Sequence, residues 1–199
     1  SGNITVTSSS NLDEYSSSQV NAFDAIYVET GDYDFRDGAT DATLKLSATD
    51  KTKLNAFIAE GKRVILTGEH SGWSIWNASI TSLTAMSSRT TVSAGNASYD
   101  VLTTDATTID YGASGLASGS NGTALFGSRA SVIWGDNSNV LTVLDMNFND
   151  DNYIAQADNR QFSINVANWL INGPFILSTT PADNATVIAV DSNIVLNFS

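Results

Sequence analysis

The sequence predicts an α/β fold: a mostly parallel, open sheet flanked by helices, closed by a short all-β segment at the C-terminus. Three observations predict it. Ala25-Ile26-Tyr27-Val28 and Val64-Ile65-Leu66 are short apolar runs without alternation, as strands covered on both faces require. One helical segment separates them, the minimum for a parallel crossover. A third such run, Val140-Leu141-Thr142-Val143-Leu144, is also followed by a helical pattern.

In chain order, Ile4-Thr5-Val6-Thr7 is β-branched and reads as a strand, and the polar stretch from Ser8 to Val20 holds a helical turn. The strand at Ala25–Val28 follows, bounded by Asp24 and Gly31. Ser47-x-x-Asp50 has the form of a capping box with Asp at its last position, and Leu54, Phe57 and Ile58 fall at helical spacing behind it. Gly61 ends that helix, and Val64–Leu66 is the next strand. From Trp73 to Met86 the chain reads as a helix whose apolar face is Trp76, Ile80 and Leu83. Short strand-like pieces lie around Val92, Tyr99–Leu102 and Ala130–Trp134, and Gly112 to Gly122 is a loop. Its glycines do not sit between a strand and a helix, which argues against a phosphate cradle. Asp158-Asn159 opens a last helix carrying Phe162, Ile164, Val166, Trp169 and Leu170, and Gly173-Pro174 stops it. Beyond it, three short strands separated by turn residues occupy Phe175 to Phe198. The expected boundaries are therefore 1–173 for the α/β body and 174–199 for the β segment.

The chain has 199 residues and 42% hydrophobic content, enough for a core. Nine basic against 21 acidic residues give a formal charge of −12, which repels phosphate backbones, and no basic patch is visible. Nucleic acid is excluded as a partner on that ground. An acidic, oxygen-rich surface favours cations, calcium above all. Cysteine is absent, which removes disulfides, thiolate metal sites and thiol nucleophiles together. With so little lysine and so much Ser, Thr, Asn and Gly, the composition points to a bacterial secreted or cell-surface protein. No apolar run reaches membrane-spanning length. No signal peptide is visible, and Ser1-Gly2 reads as a cut end. The N-x-[S/T] sequons at Asn3, Asn77, Asn96, Asn121 and Asn184 are no more than this composition yields by chance.

Two stretches resemble known families. The tail STTPADNATVIAVDSNIVLNFS resembles the opening third of a bacterial Ig-like module found in tandem on surface proteins. That resemblance implies a multidomain extracellular parent, an adhesin or exported enzyme, with further Ig-like modules in the same chain. The body, over roughly residues 1 to 172, resembles the class I glutamine amidotransferase-like superfamily of flavodoxin-like α/β domains. The resemblance rests on DAIYVETG, FIAEGKRVILTG, the GEHSG corner, and LTVLDMNF leading to DNRQFSINVANWL. It implies a strand and helix ahead of the Ile4 strand. It also implies a cysteine nucleophile at the position of His70, within a Cys-His-Glu triad. Here the only histidine of the chain stands in that place, so the acyl-transfer chemistry does not carry over.

In a parallel open sheet, ligands bind beyond the carboxyl ends of the strands. The three predicted strands end there in Glu29, Thr30 and Asp32, in Glu69 and His70, and in Asp145 and Asn147. The ligand-binding set expected at this rim is His70, Glu69, Trp73, Asp32 and Asn147. His70 is either a ligand- or metal-contacting imidazole on an exposed elbow or a loop residue capping backbone groups. Ser71 is its neighbour in sequence, which disfavours a Ser-His-Asp arrangement. Asp32-x-Asp34, with Asp37-Gly38 one step late, and Asp145-x-Asn147-x-Asn149 both approach a calcium loop, and both also read as solvated turns. Trp73 and Trp76 suit sugar stacking, but their spacing of three suits packing on one helical face better. The expected function is adhesion, or recognition of a small ligand, glycan or another surface protein, without catalysis. Its alternatives are a hydrolase using Glu69, His70 and Asp145 as candidate catalytic groups, and a purely structural spacer.

Overall fold

A computed structural model describes residues 5–7, 9, 11–29, 45–69, 73–83, 92–93, 100–110, 122–126, 131–134, 139–144, 146–171, 176–180 and 195–198. Helices are α1 (Ser17–Val20), α2 (Ala48–Ala59), α3 (Ser74–Thr81), α4 (Asp100–Thr103) and α5 (Asn159–Ile171). Strands are β1 (Ala25–Val28), β2 (Arg63–Gly68), β3 (Val92–Ser93), β4 (Gly122–Ala124), β5 (Ser131–Trp134), β6 (Val140–Leu144), β7 (Ile176–Thr180) and β8 (Val195–Phe198).

The first six strands form one sheet in the order β1-β2-β6-β5-β4-β3. β1, β2 and β6 are mutually parallel, with Val28 opposite Leu66 and Gly68 opposite Leu144. β5 runs antiparallel to both β6 and β4, and β3 pairs parallel with β4. The chain is therefore an α/β protein with three parallel strands at the heart of a mixed sheet. The βαβ reading of residues 25–68 holds, and the cause is visible. Ser47 and Asp50 complete the capping box reciprocally, at 3.0 and 2.9 Å. Asp50 also accepts from the Leu12 amide at 2.9 Å, so one buried carboxylate starts α2 and anchors the segment before α1. Gly61, at φ +79°, provides the left-handed residue that ends the helix.

Alternation along β2 divides the core in two. Val64 and Leu66 pack with Leu54, Phe57, Trp73, Trp76 and Ile80, the side of α2 and α3. Ile65 packs with Leu141, Val143, Phe148, Phe162 and Trp169, the side of α5. Arg63 lies over the Trp169 ring, 5.3 Å from its centre, and its guanidinium donates to the Trp169 carbonyl. Helix–sheet–helix layering follows, with β2 buried along its whole length.

Buried asparagines fasten the connections. Asn139 donates to the Ile58 and Lys62 carbonyls at 2.9 and 3.0 Å, and its own carbonyl accepts from Val64 at 2.9 Å. Asn165 donates to the Leu102 and Thr104 carbonyls at 3.0 and 2.8 Å. Asn159 exchanges both of its amide groups with the backbone of Asp110.

Two sequence expectations change. Thr5–Thr7 is not a strand, and Val6 is 85% exposed: these residues pair with no strand among the described residues, and β-propensity needs a surface to pack on. Of the stretch expected at Tyr99–Leu102, the described part, Asp100–Leu102, is not strand-like either. Asp100–Thr103 is a helical turn whose Leu102 carbonyl accepts from Asn165 and whose Leu102 side chain is fully buried. In the tail, β7 and β8 pair antiparallel as a sheet of their own, Ile176 opposite Phe198 and Thr180 opposite Val195. The middle tail strand, at 187–190, and most of the loop at 112–122 lie outside the described residues.

Candidate functional site at the C-terminal edge of the parallel strands

The parallel register brings the ends of β1, β2 and β6 to one edge of the sheet. Glu29 follows β1, Glu69 follows β2, and a 3-10 turn, Met146–Asn149, follows β6 closely. Thr67 ties β2 to β1 there, its hydroxyl donating to the Val28 carbonyl at 3.1 Å.

The corner after β2 is fixed from α3. The Asn77 side-chain oxygen accepts from the Glu69 amide at 3.0 Å, and its nitrogen donates to the Glu69 carbonyl at 2.9 Å. The Trp76 indole donates to the Thr67 carbonyl at 2.9 Å. Glu69 is 2% exposed and Trp73 3%, and Trp76 is buried with them. Both indoles thus belong to the core beside α2, and neither offers a face to solvent.

An open polar group lies beside β1 instead. Tyr27 keeps 36% of its surface exposed in a strand whose other residues are partly covered. Its hydroxyl faces the Asn149 side chain, in the turn after β6. Crowding around that hydroxyl, then the nearby Glu29 charge, raise the phenol's pKa well above its ordinary value, against the opposing pull of Asn149. Burial likewise raises the pKa of Glu29 above the ordinary carboxylate range. Among the described residues, Glu29 has no hydrogen-bond or ion-pair partner.

Asn147 and Asp150 close a turn: the Asn147 amide donates to Asp150 at 2.8 Å, and Asp150 accepts from the Asn152 and Tyr153 amides at 2.8 and 2.9 Å. That is the Asx-type use of these residues. His70, Asp32, Asp34, Asp37 and Asp145 lie outside the described residues. Among the described residues, no group of three or more His, Asp or Glu side chains forms a metal centre. No described helix is long and apolar enough to cross a membrane.

No family model, curated protein or solved structure matches this chain.

Sequence reasoning missed Tyr27 and Asn77. Tyr27 sits in a run of four apolar residues and reads as core, although tyrosine is the one member of that run with a polar tip to place. Asn77 reads as a sequon; the usable signal was a polar residue on the buried side of an otherwise apolar helix face, next to Trp76. A cavity of about 340 Å³ at the start of α5, lined by Ile154, Ala157, Arg160 and Ile164 among others, shares no residue with the rim.

Proposed function

We propose that this chain is a non-catalytic recognition domain of a secreted or cell-surface bacterial protein, and that it binds a glycan at the C-terminal edge of β1, β2 and β6. The observation that carries the proposal is the grouping of an exposed tyrosine, an exposed amide and an exposed carboxylate, Tyr27, Asn149 and Glu29, at that edge. Flat aromatic surface beside hydrogen-bonding groups is the complement of a sugar ring, which has an apolar face and a hydroxyl rim. The absence of cysteine from the sequence removes the nucleophile that amidotransferase-like domains use, and supports binding over acyl transfer. Within this reading the body is a flavodoxin-like, amidotransferase-related domain, and the antiparallel pairing of β7 with β8 supports the start of an Ig-like module.

A glycan array probed with the whole chain tests the proposal, run once with calcium and once with a chelator. The expected result is a defined set of glycans whose signal falls with Tyr27→Ala and with His70→Ala. Loss on chelation would assign calcium to the oxygen-rich runs Asp32–Asp37 or Asp145–Asn149. An array without signal, or one indifferent to Tyr27→Ala, overturns recognition at this rim.

A further inference from the structure

We infer that the cavity at the start of α5 binds a free amino acid with an apolar side chain. The ligand's carboxylate meets Arg160, its ammonium meets Asp158, and its side chain lies against Ile154 and Ile164. The site shares no residue with the sheet edge, so it stands apart from the glycan reading.

The cavity, of about 340 Å³, has the size of a small-molecule site. Its wall holds one anion and one cation, two residues apart in sequence. Among the described residues, Asp158 and Arg160 form no ion pair with each other. Asp158 accepts from the Thr107 amide, the Thr107 hydroxyl and the Thr108 amide, all on Oδ2. Those bonds fix the carboxylate in place, and Oδ1 keeps acceptor capacity. Gln161 Nε2 donates to Asn165 at 2.9 Å, which leaves the Gln161 side-chain oxygen as a second acceptor at the wall.

The rest of the lining is apolar. Ile154 and Ile164 belong to neither core cluster, and Ile164 leaves 49% of its surface exposed. An aliphatic or aromatic side chain laid on them removes apolar surface from water on both partners. Ala157 lines the same cavity at φ +41°, in the left-handed region that residues with a Cβ avoid. Backbone held in that region gathers at ligand sites.

The charges decide the ligand class. A simple carboxylate is repelled by a chain of formal charge −12 and leaves Asp158 unused. A simple amine leaves Arg160 unused. A zwitterion engages both groups and brings no net charge into that field. The Arg160 guanidinium offers the fork of donors that a carboxylate accepts, and Asp158 and Gln161 offer acceptors for an ammonium. The isoleucines then favour leucine or phenylalanine over glycine.

Chemical-shift titration of the whole chain tests this, read at the amides of Ala157, Arg160 and Gln161. Leucine and phenylalanine are compared with three compounds that each lack one group: glycine the side chain, N-acetylleucine the ammonium, leucinamide the carboxylate. The expected result is that leucine or phenylalanine shifts those amides and binds about tenfold more tightly than each of the three. Arg160→Gln, at an exposed position, is expected to lower leucine to the level of leucinamide. The comparison of compounds on the unaltered protein needs no variant. Equal affinity for leucine, N-acetylleucine and leucinamide, or an unchanged leucine affinity in Arg160→Gln, overturns the inference. So does the absence of shifts at the cavity with both amino acids. None of these outcomes bears on glycan binding at the sheet edge, which the array decides separately.

Discussion

Asn77 and Glu69 are joined twice: the amide side chain of one takes both the N–H and the C=O of the other, at 3.0 and 2.9 Å. A side chain here completes the hydrogen bonding that a neighbouring strand would otherwise supply. Because the bonds go to backbone, α3 holds position 69, the residue that follows β2, through its N–H and C=O.

Asn77→Ala leaves two buried backbone groups without partners, each costing about 1–3 kcal/mol. The expected outcome is a clear drop in the urea midpoint, and faster exchange of the Glu69 amide than of the Ile65 amide. Asn77→Asp removes the donor to the Glu69 carbonyl and sets a charge beside it, so it is expected to be at least as harmful as alanine. A variant with unchanged stability would mean the clamp is idle.

Gly61 stands at φ +79°, and no atom lies within 4 Å of the point a Cβ would occupy. Gly61→Ala therefore meets no steric obstacle, only the left-handed backbone penalty of about 1–2 kcal/mol. A loss in that range is expected by chemical denaturation. A gain in stability, as from reduced freedom of the unfolded chain, would show that the turn relaxes on substitution.

Asp158 precedes α5 and accepts from the Thr107 amide at 2.8 Å, the Thr107 hydroxyl at 3.0 Å and the Thr108 amide at 3.1 Å. These bonds hold its carboxyl below the ordinary aspartate range, the Thr107 amide first among them. A depressed carboxyl contributes stability above its unfolded-state pKa and loses it as pH falls through the folded value. Asp158→Ala is thus expected to unfold more easily than the unaltered chain at neutral pH, with the gap narrowing in acid. Parallel curves from pH 7 to pH 3 would contradict it.

Glu29 carries the opposite sign. Its pKa is raised by burial, so the ionised form is disfavoured by folding. This group therefore weakens the fold above its raised pKa and ceases to do so below the ordinary carboxylate value. Glu29→Gln is expected to show a higher urea midpoint than the unaltered chain at pH 7, with the two converging as the buffer is acidified. A midpoint below the unaltered chain at pH 7 would indicate a stabilising partner for the carboxylate.

The parallel core was readable because its signals were local and redundant. Val64–Leu66 is apolar without a break, Ser47 and Asp50 cap α2 within four residues, and Gly61 punctuates its end. The apolar face predicted after Trp73 is also the buried one: Trp76, Ile80 and Leu83 all lie in the core. What escaped depended on partners distant in sequence. Leu102 belongs to a helical turn because Asn165, 63 residues later, caps it. Ile164 reads as an apolar helix residue, yet it is 49% exposed, since the core-facing stripe of α5 runs through Phe162, Val166 and Trp169. At the rim, Glu69 was legible as an edge residue from its place after β2. The Tyr27–Asn149 pair was not, because 122 positions separate two residues that only the β1-β2-β6 order brings together.

The asparagines that stitch this fold carry no formal charge. Asn77, Asn139, Asn159 and Asn165 bind backbone through neutral amides, in a protein whose acidic groups outnumber its basic ones by more than two to one. Dissolved ions screen attractions between charges and leave such amide contacts nearly untouched. The loops these four residues secure will hold their places in brine and in dilute buffer alike, while the carboxylate staple at Asp158 answers to acidity.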